Sequence, residues 1–297
     1  METMIEAEGL CKSYKKVTAL KDISLKIGSG EIFGLIGPDG AGKTTLFRIL
    51  TTLSLADSGT ASVCGLDVVK DYRKIRAEIG YMPGHFALYQ DLSVEENLQF
   101  YATVFGTDVK SNYDNIKDIY CQLEAFHDRK AGALSGGMKQ KLALCCALVH
   151  RPKVLFLDEP TTGVDAVSRK EFWAMLSRIR EGGVCIFVST PYMDEAALCD
   201  RIAMISEGRI IGGGTPQQIR DSFPDKLYAA KGEDIFGMLR VLCATEGVKE
   251  CNSFGSSCHI TVAEGGPDAE ALAKVLAQNG FTSCSLSPIE AGIEDCF

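Results

Sequence analysis

The chain has 297 residues, 46% hydrophobic and 24% charged, which suits a globular protein long enough for two domains. Its 31 basic against 39 acidic residues leave a formal charge of -8, which argues against the basic surface of a non-specific nucleic-acid binder. The 12 cysteines show no CxxC spacing and no histidines cluster near them, so they read as small buried hydrophobes rather than a metal or disulfide framework.

The N-terminus METMIEAEGLCKSYKK has no apolar core of signal-peptide type. The longest apolar run, residues 142–149, falls far short of the stretch of about 20 that a spanning helix needs. The expectation is a chain that does not cross a membrane by itself. EIFGLI at 31–36 predicts a buried strand. It runs straight into Gly37, Pro38, Asp39, Gly40, Ala41, Gly42, Lys43, Thr44 and Thr45, and an apolar helix, LFRILTTL, follows. This is G-x-x-x-x-G-K-T between a strand and a helix. Glycines let backbone N–H groups wrap a phosphate without side-chain interference. The helix N-terminus favours an anion. Lys43 reaches the β- and γ-phosphates and the Thr44 hydroxyl ligates Mg²⁺, so ATP and Mg²⁺ are the expected ligands.

Residues 87–150 read as mostly helical. SVEENLQFYATVF opens with Ser93 and Glu96 in a capping box, and DNIKDIYCQLEAF continues the helical period. KVLFLDEP at 153–160 predicts a second buried strand that delivers Asp158 and Glu159 to the edge of the phosphate site. Asp158 is expected to hold Mg²⁺ through water, and Glu159 to polarise the attacking water. A further strand at 184–190 precedes Pro191. RIAMISEGRIIGGGTP predicts a hairpin turning at SEG, with Gly212, Gly213 and Gly214 as a domain-boundary turn. From 225 onward the pattern changes to strand, helix, two strands, helix, strand, a ferredoxin-like β-α-β-β-α-β unit.

Between the two phosphate-site strands stand Leu134, Ser135, Gly136, Gly137, Met138, Lys139 and Gln140, with Ser135 lying 23 residues before Asp158. This LSGGMKQ resembles the signature of ATP-binding cassette ATPases, and other motifs agree with it. Tyr14 resembles the aromatic that stacks on adenine, Gly163-Val164-Asp165 the D-loop, and GYMPG with the following LYQDLSVEENLQF the Q-loop region. The resemblance covers roughly residues 4–215 and is nearest to ATPases serving ABC-2-type exporters. It implies an α/β P-loop NTPase at 1–218 with an inserted helical subdomain at about 85–150, and an α+β accessory domain at 219–297.

The resemblance also implies partners. One is an integral membrane permease at the cytoplasmic face of the membrane, met by the surface from Phe86 to Gln90. Another is a second cassette, the same chain or a different one, whose γ-phosphate the signature would cap. No nucleic-acid partner is implied. Two positions depart from the family: Gly84 stands where the Q-loop glutamine belongs, with His85 next, and Pro191 stands where the switch histidine belongs. Two readings follow. The chain hydrolyses ATP with Glu159 as the catalytic group, or it mainly binds ATP and lends its signature to a competent partner cassette.

Overall fold

In the computed structural model, which describes residues 2–85 and 87–296, the chain divides after Pro216 into two units. The first opens with β1 (Thr3–Tyr14), β2 (Val17–Gly28), β3 (Ile32–Ile36) and α1 (Lys43–Leu50). Next come β4 (Ser58–Val63), β5 (Leu66–Asp67), α2 (Tyr72–Glu78) and β6 (Ile79–Met82). A helical stretch holds α3 (Val94–Val104), α4 (Tyr113–Tyr120) and α5 (Gly136–Leu148). The chain returns through β7 (Val154–Asp158), α6 (Ala166–Glu181), β8 (Cys185–Thr190), α7 (Met193–Ala196), β9 (Arg201–Ser206) and β10 (Arg209–Gly214).

The central sheet has the order β10-β9-β3-β8-β7-β6, parallel except for the β9–β10 edge pair. Its inner strands β3, β7 and β8 are buried at every position, as strands covered on both faces must be. Phe47 of α1 packs its ring 4.6 Å from Phe187 and 5.8 Å from Phe156, which fixes α1 against β8 and β7. The helix starts at Lys43, before the predicted LFRILTTL, and stops at Leu50; Thr52 lies beyond it with φ 64°. A second sheet, β2-β1-β4-β5, is antiparallel.

The expected domain-boundary turn at Gly212, Gly213 and Gly214 is instead the last part of β10, paired with Met204, Ala203 and Ile202. A Cβ on Gly212 would stand 2.8 Å from Met204 Cε, so the glycines let an edge strand lie close on β9. The hairpin turn falls within SEG as expected, at Glu207 and Gly208, with φ 47° and 77°, the pair of positive φ values of a type I′ hairpin.

At the start of α3 the Ser93 hydroxyl accepts from the Glu96 N–H while the Glu96 carboxylate accepts from the Ser93 N–H. Ser93→Ala is expected to cost about 1 kcal/mol of stability, read as a lowered denaturant midpoint at unchanged slope. Among the described residues no helix is long and apolar enough to cross a membrane.

Past α8 (Pro216–Asp221), the second unit runs β11 (Lys226–Lys231), α9 (Ile235–Cys243), β12 (Val248–Phe254), β13 (Ser257–Val262), α10 (Ala269–Gln278) and β14 (Ser285–Pro288). Its sheet order is β12-β13-β11-β14, antiparallel throughout. Met238, Leu242, Leu272 and Leu276 of the two helices share a core with Tyr228, Ile260 and Val262 of the sheet.

Candidate functional site

The phosphate loop joins β3 to α1. Gly42 takes φ 110°, and a Cβ there would lie 2.4 Å from the Ala19 carbonyl oxygen. A Cβ on Gly37 would lie 2.2 Å from the Ile205 carbonyl oxygen. Both glycines are therefore set by the walls behind the loop. Pro38, Asp39 and Gly40 are exposed, Ala41 is buried, and Thr44 and Thr45 are half-buried in the first turn of α1. Lys43, 3% exposed, lies folded inside the loop. Its Nζ donates to the carbonyls of Gly37 (2.8 Å) and Pro38 (3.0 Å) and stands 3.1 Å from Glu159 Oε1.

The acids come from the end of β7. Asp158 is buried and accepts the Ser189 hydroxyl at 2.6 Å, which orients its carboxylate. Glu159 follows in the left-handed region, φ 52°, an uncommon place for a residue with a side chain. Its N–H is held by both the carbonyl and the hydroxyl of Ser189, at 3.0 and 3.1 Å. Thr44, Asp158 and Glu159 all line one cleft of about 480 Å³, together with Tyr81, Gly84 and His85. Burial and the Asp158 carboxylate push the Tyr81 phenol up to about 12.

The loop after β8 is held by a network that carries no sequence signal, because its members are far apart in the chain. Glu195, 1% exposed, accepts the Thr190 hydroxyl at 2.6 Å, the Thr161 hydroxyl at 2.7 Å and Arg169 Nε at 3.1 Å. Arg169 also donates to Asp194 and lies 4.6 Å over the Tyr192 ring. The Thr190 hydroxyl in turn accepts the Tyr192 N–H at 3.0 Å. Pro191 itself brings no donor.

The remaining expected residues lie elsewhere on this unit. Tyr14 ends β1, 43% exposed, with Lys12 Nζ 5.5 Å over its ring. Ser135 caps α5, its hydroxyl accepting the Met138 N–H at 3.3 Å, and Leu134 is buried just before it. Gly136, Gly137 and Met138 form the first turn of α5. Gln140 faces a different cavity, an apolar groove of about 550 Å³ that Tyr81, Leu88, Val104 and Phe105 also line. Asp165 caps α6, accepting the N–H groups of Val167 and Ser168, and the Ser168 N–H holds its carboxyl below the usual carboxylate range. Phe86, at the start of the expected permease-facing surface, lies outside the described residues; Tyr89 there is 50% exposed.

Comparison with known proteins adds an independent line. Residues 20–162 match the family model described as ABC transporter. The probable multidrug ABC transporter ATP-binding protein YbhF of Escherichia coli is 41% identical over 221 residues, 74% of this chain and 38% of that protein. The chain thus spans well under half of YbhF. The doxorubicin resistance ATP-binding protein DrrA of Mycobacterium tuberculosis is 37% identical over 245 residues, 81% of this chain and 74% of the relative. The daunorubicin resistance ATP-binding protein DrrA2 of Streptomyces coeruleorubidus is 32% identical over 301 residues, 99% of this chain and 93% of the relative. Among solved structures, an ATP-binding subunit of an ABC transporter superposes with a TM-score of 0.68 at 26% identity, covering 74% of this chain and 93% of that one. Part of the cbiONQ complex, cbiO1 of Clostridium perfringens, gives 0.67 at 27%, covering 75% and 92%.

Proposed function

The chain belongs to the ABC transporter family, among its ATP-binding subunits, and from that membership we propose that it binds and hydrolyses ATP to drive a separate membrane permease. One observation carries the reading: Thr44, Asp158 and Glu159 line one cleft, and the lysine of the phosphate loop stands 3.1 Å from the Glu159 carboxylate. Lys43 grips the β- and γ-phosphates, and Tyr14 stacks on adenine. Thr44 and Asp158 suit Mg²⁺, being hard oxygen donors on one cleft with the carboxylate already oriented by Ser189. When bound, Mg²⁺ neutralises charge on the phosphates. Glu159 takes the proton of the attacking water.

The signature, Leu134 to Met138, serves a second cassette, and Asp165 lies beside that contact. The apolar groove beside α3 and α5 receives the permease at the cytoplasmic face of the membrane. The names of the relatives point to export of drug-like molecules, and we assign the chain to an exporter of that kind. A second reading, in which the chain chiefly binds ATP and completes a partner's site, is favoured by Pro191 and by the commitment of the Thr190 hydroxyl to Glu195.

Steady-state turnover of the purified chain at several concentrations, beside equilibrium ATP binding, tests both. If two copies form the working pair, Lys43→Ala and Ser135→Ala both abolish turnover while only Lys43→Ala weakens ATP binding. Tight binding with background turnover selects the second reading. A chain that binds no ATP overturns both.

A further inference from the structure

The cleft at the far end of the phosphate loop needs a donor for the oxygens of a transferring phosphoryl group, because preorganised donors supply much of the catalysis of phosphoryl transfer. The candidates near β8 are either committed or stand away from the cleft. The Ser189 hydroxyl donates to Asp158. The Thr190 hydroxyl is fully buried and donates to Glu195. Pro191 has neither a donor side chain nor an N–H. Tyr192 lays its ring against Arg169, and its side chain does not line the cleft.

The chain has four histidines. His150 packs its ring 3.7 Å from Phe105 and points Nε2 at the Ile79 carbonyl, so that nitrogen carries the proton. His259 pairs with Asp295 in the second unit. His127 lies between Glu95 and Asp128 on the helical stretch. His85 lines the cleft with Thr44, Asp158 and Glu159. Its side chain is exposed, and among the described residues its imidazole has no hydrogen-bond or ion-pair partner. The chain passes close to the carboxylates just before it: a Cβ on Gly84 would lie 3.1 Å from the Asp158 carbonyl oxygen. A Cβ at 84 would press on β7, and after it His85 is the next side chain of this passage to line the cleft.

We infer that His85 is a catalytic residue, its imidazole donating a hydrogen bond to a γ-phosphoryl oxygen as charge builds there; this rests on the ATP-hydrolysing reading above. In the step, the water oxygen bonds to the γ-phosphorus and the bond to the β–γ bridging oxygen breaks. ADP leaves with that electron pair, the water proton passes to Glu159, and His85 keeps its own proton. A protonatable group after β6 thus does the work for which the loop after β8 brings no side chain to the cleft. His85 also lines the apolar groove, so the same imidazole stands between phosphate and docking surface.

The test uses the full chain labelled at histidine. In the Glu159→Gln background, which holds ATP unhydrolysed, ATP with Mg²⁺ should shift the imidazole signal that His85→Gln removes, and shift it more than the other three. His85→Ala should lower kcat by about 10²–10³-fold at unchanged ATP affinity, and His85→Gln, which keeps a donor, should recover part of that loss. An unmoved His85 signal with ATP bound overturns the inference, as does wild-type kcat in His85→Ala. If the chain binds ATP but does not turn over alone, the imidazole signal decides. If it binds no ATP, the ATP-hydrolysing reading itself falls and His85 with it.

Discussion

Glu195→Ala is expected to destabilise the first unit by about 3–5 kcal/mol, the range for removing one partner of a buried, hydrogen-bonded charge pair. The carboxylate accepts from three donors, and two of them, the hydroxyls of Thr161 and Thr190, are themselves fully buried. Alanine leaves both hydroxyls without an acceptor and leaves Arg169 with Asp194 as its ion-pair partner. Glu195→Gln is expected to cost less, about 1–3 kcal/mol. It keeps one acceptor oxygen, and the hydroxyls can rotate to accept from its amide. The chain offers its own probe: its single tryptophan, Trp173, is 4% exposed and lines the same small surface pocket as Arg169 and Glu195. Urea unfolding followed by tryptophan fluorescence therefore reports the first unit and not the second. A midpoint unchanged in Glu195→Ala would mean that the network carries no net stability.

The contrast between that network and the phosphate loop explains what the sequence could and could not reveal. The loop is local. Its glycines, lysine and threonines are consecutive, and the strand and helix that frame it are wholly apolar on the buried side, so residues 31–50 announce their own structure. The same holds for the five apolar-to-acid residues of β7 and for the Ser93–Glu96 box. Glu195 meets Thr161 and Arg169 across 34 and 26 residues, and no spacing rule joins them. The N-terminal antiparallel sheet was hidden for another reason. β1 and β2 carry register shifts around Ala7, Leu10 and Lys12, and Gly9 sits at φ 61°. Each shift moves the apolar positions to the other parity, so the alternation of a half-buried strand is lost over any long window. The glycines of β10 misled in the opposite sense, since three in a row signal a turn while close approach to β9 demanded them.

Glu159→Gln is expected to lower kcat by about 10²–10⁴-fold, the span for loss of a general base, and to strengthen ATP binding. The first effect follows from position. The Glu159 N–H donates to both the carbonyl and the hydroxyl oxygen of Ser189, the backbone is held at φ 52°, and the side chain projects to the cleft with 22% exposure. Glutamine keeps the length and the contact with Lys43 but accepts no proton. The second effect follows from charge. Lys43 divides its donors between two loop carbonyls and the Glu159 carboxylate, 3.1 Å away. Neutralising that carboxylate frees the ammonium for the phosphates and removes a negative charge from beside the γ-phosphate. Turnover and equilibrium binding measured on the same preparation separate the two. A loss of kcat with tighter binding assigns Glu159 to the chemical step. A loss of both would mean that the carboxylate shapes the loop, and an unchanged kcat would move the proton acceptor to another group on the cleft.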